Sequence, residues 1–244
     1  MSKTWYLTLF LLIVCCNLLL AQVPAWGGGA DQTDLSWGFT FGYISSNFKI
    51  VKKPDWRNPY FDPSTNRNIT DSLNSISSKP LPGFVIGFIA RYRLSDHLEV
   101  RATPSLVFAD RSLSYVYVTS SQNVSKLVQT TTVDIPLSLK LKSDRVGDLR
   151  AYILGGVKYS QAIGSKRNTD ATLALQEKLV KNISGFGSYD VGLGCDIYFE
   201  FFKLSPEIKL SNSMGNVLLP ENHPFSSPIS KLSLHTIMFS LYFE

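Results

Sequence analysis

The stretch TTTVDIPLSLKLKSD, Thr130 to Asp144, alternates strictly between two chemistries. Val133, Ile135, Leu137, Leu139 and Leu141 are apolar, and Asp134, Ser138, Lys140 and Lys142 fall between them. A period of two sends successive side chains to opposite faces of an extended chain. The run continues for fifteen residues, well beyond the ~5–6 of an ordinary soluble strand. Pro136 stands in its middle, where a ladder hydrogen bond loses its donor. Pro104 and Pro206 occupy comparable places in two other alternating runs, so a local bulge or bend is expected at each proline.

Seven more segments share this period. In chain order the eight are Ser36–Ser45, Gly83–Leu94, Leu98–Ala109, Thr130–Asp144, Leu149–Ser160, Ser188–Glu200, Lys203–Ser211 and Leu234–Glu244. The apolar faces are explicit: Trp37, Phe39, Phe41 and Tyr43 in the first, Tyr189, Val191, Leu193, Cys195 and Ile197 in the sixth, Ile237, Phe239, Leu241 and Phe243 in the last. The connections alternate between long and short. Lys52–Pro82, a loop near Thr119–Lys126, Gln161–Ser184 and Asn212–Ser230 are long or polar, whereas Ser95–His97, Ser143–Asp148 and a turn near Glu200–Phe202 are short. Within Gln161–Ser184, residues 171–181 carry Leu173, Leu175 and Leu179, and a short loop helix folded back on the rim is expected there.

An even number of strands with long loops at one end and short turns at the other defines an all-β, eight-stranded antiparallel up-and-down transmembrane β-barrel. Its long loops are extracellular, and its short turns and both termini are periplasmic. Hydrocarbon offers no partner to a free sheet edge, so a spanning sheet has to close. A soluble exported sandwich also alternates, but segments of about ten residues or more fit the ~9–11 that cross a bilayer at a tilt. Trp37, Tyr43, Tyr92, Tyr159 and Phe243 also sit near segment ends, where interfacial girdles form.

The other face then points into a lumen just wide enough for side chains to fill. It carries Arg91, Arg93, Glu99, Arg101, Asp134, Lys140, Lys142, Arg150, Lys158, Asp190, Asp196, Glu207 and Lys209. The three-residue turn after Leu94 sets Leu94 opposite Leu98, Arg93 opposite Glu99 and Arg91 opposite Arg101. Both signs occur in similar numbers, which implies a lumen plugged by ion pairs and hydrogen bonds and not an open pore.

The N-terminus, MSKTWYLTLFLLIVCCNLLLAQ, has one lysine, an apolar run from Trp5 to Leu20 and a small residue at Ala21. This is the layout of a cleaved signal peptide, placing residues 1–21 in the leader and 22–244 in an outer-membrane β-barrel domain. Cys15 and Cys16 leave with the leader, so Cys195 remains alone and no internal disulfide forms. Removing Lys3 leaves 23 of 24 basic residues against 19 acidic ones. These charges are dispersed, and nothing in them calls for nucleic acid.

Chemistry-bearing motifs are sparse. Gly185-x-Gly187 precedes a strand and not a helix, so it is no dinucleotide loop. His97, His223 and His235 show no metal spacing. Ser233 and His235 share a face at the expected rim, which a hydrolase could use, but two rim polar residues account for them more simply. Asp134, Asp190 and Asp196 read as lumenal ion-pair partners. No residue is assigned as catalytic, cofactor-binding or metal-ligating, no cofactor is expected, and the chain is read as a non-enzyme.

The segments WGFTFGYISSNFKI, DIPLSLKLKSDRVGDLRAYILGGVKYS, LSPEIKLSNSMGN and LHTIMFSLYFE resemble the PorT family, called SprT in gliding bacteria. The likeness is strongest over Val133–Ser160 and Leu204–Asn216. That resemblance implies an outer-membrane component of the type IX secretion and gliding motility system, needed for protein transport of its cargo. It implies outer-membrane lipid and other secretion-system subunits as partners, and no catalytic residues. A small adhesin-like barrel that binds ligands through its long loops is the alternative.

Overall fold

The computed structural model describes residues 33–163, 175 and 177–244, so the expected leader lies outside the described residues. Its strands are β1 (Leu35–Lys52), β2 (Phe61–Asp62), β3 (Arg67–Asn68), β4 (Leu73–Ser77), β5 (Leu81–Arg93), β6 (Leu98–Ala102), β7 (Ser105–Tyr117), β8 (Val124–Lys142), β9 (Leu149–Ile163), β10 (Gly185–Tyr198), β11 (Lys203–Ser213) and β12 (Ile229–Phe243). β6 and β7 are one strand interrupted at Thr103 and Pro104, and β4 continues the line of β5 up the flank of β7. The ring therefore has eight members, all antiparallel, closed where β1 pairs with both β5 and β12.

Register fixes the shape of the ring. From Ser36 the pairings run to Arg91, Arg101, Ser138, Gly156, Asp190, Ser211 and Thr236, and return to β1 at Ser46, ten residues above the start. A shear of this size over eight strands tilts them by about 40° from the barrel axis, using ~3.3 Å per residue and ~4.8 Å between strands. The same geometry gives a backbone radius of roughly 8 Å, which leaves room for side chains and little else.

The three mid-strand prolines do not bulge. Across Pro104, Pro136 and Pro206 the register is the same on either side, although the pairing lapses at Thr103–Pro104 and between Gly194↔Glu207 and Ile197↔Leu204; among the described residues the register shifts fall at Val51/Lys52 and Leu73/Ser75. The expected bulges are absent because a proline withholds only its donor. Its carbonyl still serves: Phe88 N–H donates to Pro104 O at 3.0 Å and Thr103 N–H to Pro136 O at 3.3 Å. A missing ladder bond costs about 1 kcal/mol, less than a shift that would turn the following side chains to the wrong face.

The short turns match expectation. Leu94 and Ser95 both donate to Leu98 O at 2.9 Å, and Arg91 and Arg93 lie opposite Arg101 and Glu99. Gly147, at φ 61°, supplies the left-handed residue of the turn between β8 and β9. The long-loop end differs. β7 and β8 pair to Tyr115 and Val124, so the connection near Thr119–Lys126 shrinks to residues 118–123, with one 3-10 turn at Ser120–Gln122. In the Lys52–Pro82 stretch, β2 and β3 form a small hairpin turning through Asn66 at φ 54°. Of the helix expected over 171–181, residues 171–174 and 176 lie outside the described residues, and Glu177–Lys181 are not helical.

The outward face is a continuous apolar belt. Phe88 is 71% exposed and Trp37 68%, and Ile86, Leu139, Val157, Leu193 and Ile208 are exposed beside them. A surface of this extent is stable only against lipid. Near the periplasmic edge Phe39, Phe41, Phe199, Phe202 and Phe243 stack with centroids 4.7–6.3 Å apart. Tyr43, Tyr92 and Tyr159 also face outward.

Candidate functional site

Inside the ring the lumen is stacked in three zones. The periplasmic zone is ionic. Glu244 follows β12, and its carboxylate meets Arg91 of β5 at 2.6 Å and Lys203 of β11 at 2.9 Å. Glu99 of β6 takes Arg91 at 3.4 Å, Lys140 at 3.2 Å and Lys142 at 2.8 Å. Lys140 reaches across to Asp196 of β10 at 2.8 Å, and Ser205 donates to the same carboxylate at 2.6 Å. One layer up, Glu207 of β11 pairs with Arg101 and, at 3.1 Å, with Lys209. It also accepts the hydroxyls of Tyr152 at 3.0 Å and Tyr242 at 3.2 Å.

Two aromatic rings complete these layers. The Arg101 guanidinium lies 4.3 Å from the Tyr242 centroid and the Lys140 ammonium 3.8 Å from that of Tyr152, each a desolvated cation–π contact. Gly194 makes the Tyr152 placement possible, because a Cβ there would stand 2.6 Å from that ring. The side chains of Arg91, Glu99, Arg101, Lys140, Lys203 and Glu207 are sealed from solvent. Charges this deep are tolerable only when paired and hydrogen-bonded on most sides.

The middle zone is polar but less saturated. Lys158 meets Asp134 at 3.1 Å, and Thr132 donates to Asp134 at 2.8 Å. Arg111 donates to Ser46 at 3.0 Å, and Ser46 bonds Thr236 at 3.0 Å. Asp190 has no ion-pair partner among the described residues, and its Oδ1 is buried without a hydrogen bond. Two cavities of about 20 Å³ each open here, both touching Asp134, Lys158 and Met238. Such a volume holds a water molecule or two.

The extracellular zone is apolar. Phe48, Leu113, Tyr115, Val128, Leu232 and Leu234 point inward from β1, β7, β8 and β12 and pack against Val217, Leu218 and Phe225 of the loop before β12. Tyr115 donates its hydroxyl to Phe225 O at 2.6 Å, and the two rings meet edge to face at 5.3 Å. The loop thus folds into the mouth and caps it.

Most residues expected in the lumen are there. Arg91, Glu99, Arg101, Asp134, Lys140, Lys142, Lys158, Asp190, Asp196, Glu207 and Lys209 are buried. Arg93 and Arg150 are instead at the periplasmic mouth, where Arg93 pairs with Asp34 at 3.2 Å and Arg150 donates to Ser143 O at 2.6 Å. Sequence reasoning did not single out Arg111, Lys203 or Glu244. Lys203 and Glu244 stand on the lumenal parity as the first residue of the seventh segment and the last of the eighth, and Arg111 lies on it two residues past the third, so following the period of two to the segment ends and one step beyond would have found them.

The three histidines are dispersed. His97 is in a periplasmic turn, its Nδ1 3.2 Å from Lys142 O, and His223 is buried in the capping loop beside Glu221 at 3.4 Å. His235 faces outward on β12 with Nδ1 2.7 Å from Asn212 Oδ1, while Ser233 donates to Gly215 O at 3.4 Å. The Ser233 hydroxyl therefore has no hydrogen bond to His235. No group of three or more His, Cys, Asp or Glu among the described residues is arranged to hold a metal ion. In the loops, the hydroxyls of Ser64 and Thr65 hold the Asp62 carboxyl below the usual carboxylate range, and Thr119 does the same for Asp71.

A closed eight-stranded ring with a lipid-facing belt, a filled lumen and unequal loops is an outer-membrane β-barrel. The chain belongs to the outer membrane protein beta-barrel domain family, whose model matches residues 27–219. A comparison with curated proteins finds no match. Among solved structures it is similar to outer membrane protein OprG from Pseudomonas aeruginosa, at 11% identity and a TM-score of 0.48, over 86% of this chain and 92% of that one. It is also similar to Neisserial surface protein A (9%, TM-score 0.42, 86% and 98% covered). A third is Ail of Yersinia pestis, solved with the heparin analogue sucrose octasulfate (12%, TM-score 0.35, 86% and 99% covered).

Proposed function

We propose that this barrel is a non-enzymatic outer-membrane component of the type IX secretion and gliding machinery, needed for export of cargo proteins. It reaches the outer membrane behind a leader cleaved after Ala21. The observation that carries the reading is the filled lumen: ion pairs block one end and the capping loop the other. A barrel so closed acts through its turns and loops, as a subunit of a larger assembly does. The choice of assembly rests on the resemblance of Val133–Ser160 and Leu204–Asn216 to the PorT (SprT) family.

The periplasmic turns offer a surface for other subunits. Phe201 is 89% exposed at the tip of the turn between β10 and β11, beside the stacked Phe199 and Phe202. Deleting the gene and following secretion of type IX cargo tests the proposal. Abolished export, restored by the full chain and not by one with Phe201 changed to Asp, supports a subunit contact at this turn. Normal export from the deletion strain ends the reading.

One feature favours the alternative of a ligand-binding, adhesin-like barrel. The Lys52–Pro82 stretch is built into a hairpin, with Phe61 exposed and the Tyr60 hydroxyl donating to Asn222 at 3.1 Å and 3.2 Å. Loss of surface binding after this stretch is trimmed, with export intact, would favour that reading over secretion.

A further inference from the structure

The outward face of β1 and β12 changes character abruptly towards the extracellular end. Phe39, Phe41 and Tyr43 pair with Phe243, Leu241 and Phe239, and all belong to the belt. Two pairs higher Asn47 lies opposite His235, then Lys49 opposite Ser233, then Val51 opposite Lys231. Lys49 and Lys231 are both exposed, and they are diagonal neighbours on adjacent strands, ~7–8 Å apart in such a ladder.

Height places this patch. From Trp37 to Asn47 the outward face of β1 climbs about 33 Å along the strand, or roughly 25 Å along the membrane normal at a 40° tilt. That equals the ~25 Å apolar band of outer-membrane barrels. Lys49 and Lys231 therefore stand where the outer-leaflet headgroups begin.

Neither lysine meets a carboxylate within 4.0 Å among the described residues. Two ammonium groups this close repel each other, and an anion between them relieves the repulsion. The β7–β8 side of the rim lacks such a feature. The β7–β8 face presents Asp110, Ser112 and Gln129, and Lys126 turns inward over the Phe225 ring at 4.4 Å.

We propose that Lys49 and Lys231 bind the phosphate of an outer-leaflet glycolipid of the lipid A class. Asn47 and His235 lie one pair beneath Lys49, and Ser233 lies opposite it, as polar partners for the glycolipid's sugar hydroxyls. Asn212 holds Nδ1 of His235, leaving Nε2 for a hydroxyl. The acyl chains would then lie along Tyr43, Phe239 and Ile237.

The full-length barrel in detergent, examined by native mass spectrometry with diphosphorylated lipid A, tests this. Wild type should retain at least about tenfold more lipid than a K49Q/K231Q variant, in keeping with the attraction of each surface lysine for anionic lipid. Dephosphorylated lipid A should bind wild type as weakly as the diphosphorylated form binds the variant, and K126Q should behave as wild type. Both lysines are exposed, so the double variant retains its fold. Equal retention by wild type and variant, or by the two lipids, overturns the proposal. So does displacement of the lipid by millimolar inorganic phosphate, which would mark a site for the free ion.

Discussion

Glu207 is where a single substitution strains this molecule most. Four groups converge on its carboxylate: Arg101, Lys209 at 3.1 Å, Tyr152 at 3.0 Å and Tyr242 at 3.2 Å. In Glu207→Gln the two cations remain buried without their shared counter-charge. Removing one partner of a buried pair costs about 3–5 kcal/mol, and here two cations share the loss, so the upper half of that range is expected. At 1.4 kcal/mol per tenfold, 4 kcal/mol is nearly a thousandfold in the unfolding constant. Arg101→Met is milder, about 1–3 kcal/mol, because Glu207 keeps Lys209 and both hydroxyls. The double variant should fall short of the sum, since it leaves one orphan cation and not two. Equilibrium urea unfolding in lipid vesicles, followed by Trp37 fluorescence and by the mobility of unheated protein on a gel, reads all three. A Glu207→Gln variant within 1 kcal/mol of wild type, or an Arg101→Met variant less stable than it, would refute the reasoning and mean that water screens this layer.

Three further outcomes follow from the same geometry. Wild type in planar bilayers should show no conductance above background, and deleting residues 217–228 should leave it closed, because the ionic layers seal the other end; steady channels in wild type would contradict a filled lumen. Pro136→Val should restore one donor facing β6 without moving the register and stabilise by about 1 kcal/mol; loss of stability in urea melts would show that the bare carbonyl already has a partner. Brominated lipids should quench Trp37, which stands in the belt, and spare Trp56, which is held in the extracellular loop with Lys52 3.9 Å from its ring centroid.

The ring and most of the lumen were legible because a period of two survives wherever lipid lies on one side and ions on the other. The pairing of Arg91 with Arg101 follows from parity and the length of one turn. The upper third was not legible, for the same physical reason. Phe48, Leu113, Tyr115, Val128 and Leu232 put apolar groups on the lumenal face, so the alternation fades and the strands seem to end early. Arg111 was lost with them, although Lys203 and Glu244 stand on the lumenal parity within their own segments. The prolines misled because a missing N–H was equated with a displaced strand. The capping loop gave no sign at all, since its Val217, Leu218 and Phe225 are ordinary loop residues until something folds beneath them.

Glu244 lies at the seam. It follows β12, the strand that meets β1 to close the ring, and its carboxylate satisfies Arg91 and Lys203. Until that seam zips, Lys203 and Arg91, the latter held by Glu99 only at 3.4 Å, lack the carboxylate that bridges their two strands. A barrel whose β1–β12 seam is still open is thereby electrostatically unfinished, and closing the ring is rewarded by one carboxylate shared between two strands.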